Sequence, residues 1–553
     1  TKLALGLILL SVAIVWIILA CSFSFGLSER TSIVILVEND RVLLNPYAAI
    51  LVNPERYPQR NFNLAVAFVK FLISEEGQNL IAEFRKDNKT LFIPLAQNLT
   101  LANALGFPNQ KEEVEWYAAQ VMSPAMSLSP LILATTTSTY DSGLLDYVIP
   151  FFEQKFNVKV HSISVGSGQA MEIAKRGDAD VVLVHSKALE ESFVKDGYGV
   201  HRVGIMYNDF VIIGPENDPA DIKGSTNATE AFMKIAKAGV EGKDFFISRA
   251  DNSGTHLLEL KIWSQLGIQP SGRTNAWYLE AGASMATVLR MSYEKQAYTL
   301  TDRGTWLSKR KVLSTSFFDN LHEAIGLIAS FDPEIVSITF LSLAVSGTAV
   351  LLGSVLGIPL GAFLGLREFK GKQPLLNLIN VLSKSIINAF MGLPPILVGL
   401  VVYLLLSASG PLGPFQMLYS PSAMIIAQLI MVVPIVIGVT MSAVGSVDKA
   451  IRDRALSLGA TEWQTTLTVL KEARVGILTA IVVAFGAAIS EVGGIMIVGG
   501  NIRWYTRVLT TAILYQTELG NIGTAMALGI ILLSLAFALN LVLTYLQLRG
   551  ARR

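Results

Sequence analysis

The chain has 553 residues, with 44 Lys and Arg against 43 Asp and Glu, 52% hydrophobic residues and 16% charged ones, and a mean hydropathy of +0.49. A soluble protein of this length carries about a quarter charged residues, so part of the chain belongs in lipid, and the balanced charge excludes the strongly basic footprint of a nucleic-acid binder. One cysteine, Cys21, and five histidines exclude a disulfide framework and argue against a Cys/His metal site.

Lys2 precedes an apolar run over residues 3–20, so residues 1–25 read as a signal anchor or a lipoprotein signal that exports the segment after it. Ile18-Leu19-Ala20-Cys21 resembles a bacterial lipoprotein cleavage site, in which Cys21 would be lipidated. An uncleaved anchor, with Cys21 an ordinary apolar residue, is the other reading. From about 31 to 311 short β-type runs alternate with helical patterns, the mark of α/β layering. Strands are predicted at 33–37, 48–52, 131–135, 160–165, 180–185, 209–213, 245–249, 275–280 and 297–301. Helices are predicted at 63–85, 142–155, 168–176, 187–195, 226–238, 254–266, 283–294 and 302–309. Residues 98–130 lack a strand pattern and read as a linker with some helix. The segment is long enough for two lobes.

Four strand-to-helix turns carry the chemistry: Ala134-Thr135-Thr136-Thr137-Ser138, Gly166-Ser167-Gly168-Gln169, Arg249 followed by Asp251-Asn252-Ser253-Gly254-Thr255, and Gly282-Ala283-Ser284. Helix N-termini offer unpaired N–H groups, hydroxyls add donors and glycine permits close backbone approach, which together suit a small anion. Arg249 would add one full charge on a planar fork. Any single such turn is most often a plain helix cap; the argument rests on four in one domain. Residues 267–274, GIQPSGRT, imitate phosphate-loop spacing with Arg273 in place of lysine and read as a helix-end turn.

Residues 335–366, 385–447 and 519–548 contain no Asp, Glu, Lys or Arg, and 475–499 carries only Glu491. Five membrane helices are predicted, at about 335–363, 387–408, 422–446, 476–499 and 522–547. The connections 367–384 and 448–474 and the tail are rich in Lys and Arg, whereas the opposite connections hold only Arg503 and Arg507. Basic loops mark the cytoplasmic side, so residues before 335 lie outside and the C-terminus inside, in a multi-pass plasma-membrane protein. Glu491, costly in lipid, is expected to pair inside the bundle.

The stretches LILATTTSTYDSGLLDYVIPFFEQKF, VGSGQAMEIAKRGDADVVLVHS, MYNDFVIIGP, SRADNSGTH and AYTLTDRGTW resemble the substrate-binding protein of tungstate ABC importers over most of 131–311. The stretches MGLPPILVGLVVYLLLS, DRALSLGATEWQTTLTVLKEAR and AISEVGGIMIVGGNIRWYTRVLTTAI resemble its partner permease over roughly 313–549. The resemblance implies a two-lobed periplasmic-binding-protein-like α/β domain of type II, and an all-α polytopic ABC permease domain over 312–553. It implies anion contacts at Thr136, Thr137, Ser167, Arg249, Ser253 and Thr255, with Ser284 a further candidate, and neither a catalytic residue nor a metal ligand. It also implies an ATPase-coupling loop at Asp453, Arg454, Ala455 and Gly459, although Lys471-Glu472 replaces the family's usual Leu-Pro. Leu456, Leu458, Ala460 and Trp463, apolar in a loop otherwise exposed, fit a docking surface for a soluble motor.

In that family the stretch resembling residues 34–84 comes last, whereas here it comes first. Segment 31–97 is thus expected to be the C-terminal part of a circularly permuted binding domain, joined through 98–130 to its N-terminal part at 131–311. The chain carries no cofactor in this reading; ATP is used by a separate cytoplasmic ABC ATPase, two permease units pair as a homodimer, and the membrane helices meet lipid. Molybdate, sulfate or phosphate import and a membrane-tethered anion sensor are the alternatives. The sensor needs a signalling segment, and a surface hydrolase needs a nucleophile–base pair, for which the turns offer only His256 and, more loosely, His161.

Overall fold

The computed structural model describes residues 32–86, 88–120, 129–310, 315–366 and 374–551. The expected export segment, with Cys21, lies outside them. Nine strands matter here: β1 (Ile33–Val37), β2 (Leu44–Val52), β3 (Leu131–Thr136), β4 (Val160–Val165), β5 (Val181–Val184), β6 (Gly199–Pro215), β7 (Phe246–Ser248), β8 (Tyr278–Glu280) and β9 (Thr299–Asp302). The main sheet runs β1-β6-β2-β5-β3-β4, with β9 also on β6.

β6 is the spine. Its 17 residues span roughly 55 Å at about 3.3 Å per residue, long enough to serve two lobes. Over residues 199–209 it pairs antiparallel with β2, and over 210–215 with β1 and β9. Lobe one therefore contains β2, β5, β3, β4 and the first half of β6. Lobe two contains the second half of β6 with β1 and β9, and the parallel pair β7–β8. Its core gathers Phe232, Phe246, Trp263 and Tyr278, all buried. Because β2 sits between β5 and β6, residues before 97 and after 131 build one sheet.

Three helices expected to be continuous are broken. The stretch 387–408 is interrupted after Met391 and resumes at Pro395, with a 93° bend. The stretch 63–85 divides into Phe62–Ile73 and Glu75–Glu83 at Ser74, whose hydroxyl accepts the Gly77 N–H and starts the second helix. The stretch 476–499 divides into Arg474–Ile489 and Gly493–Gly499, and the Glu491 carboxylate accepts the Gly494 N–H at 2.8 Å. Glu491 thus caps a break, rather than pairing along a membrane helix.

Pro333–Leu366, Pro421–Gly445 and Ile522–Val542 are each long and apolar enough to span a membrane. Two further spans count only if the bent pairs Val381–Met391 with Pro395–Leu406, and Glu462–Glu472 with Arg474–Ile489, are each one crossing. Gly353, Gly357, Gly361 and Gly365 repeat every fourth residue on Pro333–Leu366. A Cβ at any of them would fall within 2.9 Å of an atom of Pro421–Gly445. Small residues at this spacing let the two backbones approach, which is how apolar helices associate in lipid.

The binding lobes sit on the permease helices. In lobe one, Asp178 accepts the Ala408 N–H at 2.8 Å and the Tyr403 hydroxyl at 3.0 Å, and Asp146 pairs with Arg503 at 2.7 Å. The Ser284 hydroxyl of lobe two donates to the Glu518 carbonyl at 2.9 Å.

Candidate functional site

β3 runs parallel to both β4 and β5, with Thr136 opposite Val165 and Thr135 opposite Leu183. Their C-terminal ends therefore share one edge, where open α/β sheets bind ligands. Thr137 opens the helix Thr137–Asp141, Ser167 opens Ser167–Lys175, and His185 comes directly after β5. From lobe two, β7 ends at Ser248, Arg249 is next, and Ser253 caps the helix Gly254–Gln265.

The two edges meet at Gly254. A Cβ there would lie 2.8 Å from the His185 Nδ1 and 3.0 Å from its carbonyl oxygen, so only glycine lets the lobes close to this distance. The Arg249 turn is also under backbone strain, with Ala250 and Asn252 at φ of 49° and 56°. Non-glycine residues in this region are enriched at ligand clamps.

Hydrogen bonding separates the site residues. The Ser167 Oγ, Thr255 Oγ1 and Arg249 Nε are buried and have no hydrogen-bond partner among the described residues. Orphaned buried donors cost about 1–3 kcal/mol each, so three around one junction point to a ligand that satisfies them. Ser253, also buried, spends its oxygen as an acceptor for the His256 N–H. The Thr136 and Thr139 hydroxyls share a 2.7 Å hydrogen bond, and Thr137 is half-buried at the start of its helix. Ser284 is not brought into this cluster, since its hydroxyl faces Glu518.

Arg249 is 5% exposed and pairs with Asp251 at 2.5 Å. Its charge is therefore partly compensated, so the turn offers directed N–H and O–H donors more than net charge. His185, which the sequence pattern does not single out, sits buried at the lobe junction with Nδ1 3.0 Å from the Asn45 Oδ1. Burial first, then the nearby Arg249 charge, pull its pKa down to about 3, so it is neutral at physiological pH. The signal that could have found it is its place after VVLV, at the same sheet edge as Thr136.

Behind the turn, Glu259 accepts hydrogen bonds from Ser248, Trp263 and Tyr278, and the Ser248 hydroxyl in turn accepts the Ala250 N–H. Burial raises the Glu259 pKa from 4.5 to about 7. The folded state then keeps a proton that the unfolded state releases, so stability falls as pH rises from about 5 to about 7 and levels off above. The loss is about 3 kcal/mol. Glu259→Gln is expected to match the wild-type unfolding temperature at pH 5 and exceed it at pH 8, measured on the full chain. An equal difference at both pH values would remove Glu259 as the source.

On the permease, Asp453, Arg454 and Ala455 lie in the helix Lys449–Ser457, and Gly459 turns the chain at φ +84° before Glu462–Glu472. Leu458 and Trp463 flank that turn at 87% and 68% exposure.

Comparison with known proteins places these parts in a known setting. Residues 111–334 match the family described as a PBP superfamily domain, and residues 357–551 match the binding-protein-dependent transport system inner membrane component. The tungstate-binding protein TupA of Peptoclostridium acidaminophilum is 47% identical over 204 residues, 36% of this chain and 69% of that protein. The tungstate uptake permease TupB of the same organism is 40% identical over 229 residues, 41% of this chain and 97% of that protein. An ABC-transporter anion-binding protein of Haloferax volcanii is 51% identical over 182 residues, 33% of this chain, and the match spans about half of it, 51%.

Proposed function

The chain belongs to the family of binding-protein-dependent ABC anion importers, with binding domain and permease in one polypeptide, and we propose that it takes up tungstate. The observation that carries this reading is the trio of orphaned buried donors on Ser167, Thr255 and Arg249 at the lobe junction. Thr136, Thr137 and Ser253 complete the anion's surroundings. Relatives named for tungstate on both halves of the chain support the choice of oxyanion.

Ser284 acts in seating lobe two on the permease instead of holding the anion. The binding domain faces the extracytoplasmic side, as the distribution of Lys and Arg implies, and the C-terminus is cytoplasmic. The loop around Gly459 receives a separate ATPase, and two permease units form the path. The binding domain is circularly permuted: β1 and β2 come first in the chain yet pair within the sheet built by later strands.

Calorimetry on the purified full chain with tungstate, molybdate, sulfate and phosphate tests the reading. Tungstate and molybdate are expected to bind at least about tenfold more tightly than sulfate or phosphate, since cavity size and the phosphate proton separate the two pairs. Tightest binding of sulfate would make this a sulfate importer of the same architecture.

A further inference from the structure

Arg503 and Arg507 are the only basic residues in the last outer connection, and anion capture in the cleft gives them no role. Both line a cavity of about 390 Å³ on the seam between the binding lobes and the permease. Its walls come from Tyr140 of lobe one, from Lys309 beside lobe two, and from the permease. Tyr140 lies three residues after Thr137 on one short helix, about 4.5 Å along its axis. The cavity thus opens one helical turn from the binding turn.

The Glu334 carboxylate bridges the two arginines, at 2.7 Å from the Arg503 Nη2 and 3.1 Å from the Arg507 Nη1. Arg503 also holds Asp146 of lobe one at 2.7 Å. The Arg507 side chain is 4% exposed, and the Nε atoms of both arginines are buried with no hydrogen-bond partner among the described residues. Over the whole lining, four basic side chains meet three acidic ones, and one of those acids, Asp332, is spent capping the helix at Glu334 and Ile335.

Two guanidinium groups converging on one pair of carboxylate oxygens is the geometry by which arginines hold tetrahedral oxyanions. We propose that Arg503 and Arg507 form a second oxyanion site, of lower affinity than the cleft, through which the anion passes from the binding domain to the permease, and that Glu334 occupies it as an internal stand-in when no anion is present. The inference rests on the uptake reading for its route. An arriving dianion exchanges with Glu334 and engages the two free Nε donors. The same exchange loosens Asp146 from Arg503, which couples anion arrival to the grip on lobe one.

The test is equilibrium dialysis of sodium tungstate against the full chain in lipid nanodiscs at low ionic strength. Wild type is expected to show one tight and one weak class of site. Arg249→Ala removes the tight class and leaves the weak one. Glu334→Gln, by removing the competitor, tightens the weak class about tenfold, and Arg507→Gln abolishes it. Should Arg507→Gln fail to fold, Arg503→Gln, whose side chain is one-third exposed, is expected to weaken that class about tenfold. A weak class absent from the Arg249→Ala protein, or one indifferent to Glu334→Gln and to both arginine variants, overturns the second site. A wild-type protein with no tight class would refute the cleft reading alone, because the weak class is judged by Glu334 and the arginines.

Discussion

Arg249→Ala is expected to weaken tungstate binding by about a hundredfold to a thousandfold, with the fold retained. The guanidinium is 5% exposed and pairs with Asp251, so its removal does two things. The bound dianion loses its one fully charged donor in the cleft, and Asp251 is left as an uncompensated carboxylate facing it. Removing one partner from a buried charge pair costs about 3–5 kcal/mol, and because Asp251 is partly exposed the lower part of that, about 3–4 kcal/mol, applies, which is about a hundredfold to a thousandfold in affinity.

Companion variants separate the two effects. Asp251→Asn frees the guanidinium and is expected to hold tungstate at least as tightly as wild type. Arg249→Lys keeps the charge but loses the planar fork and is expected to fall between, about tenfold weaker. Calorimetry with the unfolding temperature measured in parallel reads all three. Unchanged affinity in a folded Arg249→Ala protein would place the anion elsewhere, whatever Ser167 and Thr255 do.

Local pattern makes most of this architecture legible, because the strand ends that hold the site are punctuated by Thr, Ser and Gly at helix starts. Thr136, Ser167 and Ser253 fall where such punctuation predicts, and each is buried. The hidden part is set by contacts distant in sequence. His185 reads as the end of an apolar strand, and only the arrival of Gly254 from lobe two makes it part of the junction. Ser284 reads like the other three turns, yet the Glu518 carbonyl, 234 residues away, takes its hydroxyl.

The spine β6 is recognisable in the sequence only over 209–213, where the apolar strand β1 and the fully buried strand β9 flank it. Its first half, around HRVGIMYN, mixes polar and apolar residues because β2 and the short strand Ile93–Pro94 cover it unevenly. The breaks at Ser74 and Glu491 arise from side chains that accept N–H groups three residues onward. That competition between capping and continuation is visible in residue types but is decided by packing. Asp146 and Asp178 look like surface acids of a soluble lobe, and become anchors only when the permease lies beneath them.

Leu458→Asp is expected to lower tungstate-stimulated ATP hydrolysis and uptake by at least about tenfold, while leaving anion binding in the cleft untouched. Leu458 is 87% exposed and Trp463 68% exposed, so neither contributes to the fold that displays them. Gly459, at φ +84°, turns the chain between two short helices, and both exposed apolar side chains lie within a few residues of that turn. The Thr461–Gln464 capping box makes that turn rigid. A rigid apolar projection in water is what a partner's groove buries, and an anchor of this kind carries about 2 kcal/mol or more of a contact. Trp463→Ala should therefore lose coupling to a similar degree, and Glu472→Ala, at the far end of the second helix, should not. The measurement is ATPase activity of the partner with the full chain in vesicles, with and without tungstate. Full stimulation in the Leu458→Asp protein would mean that the motor presses elsewhere, and the basic connection over residues 367–384 would be the next surface to probe.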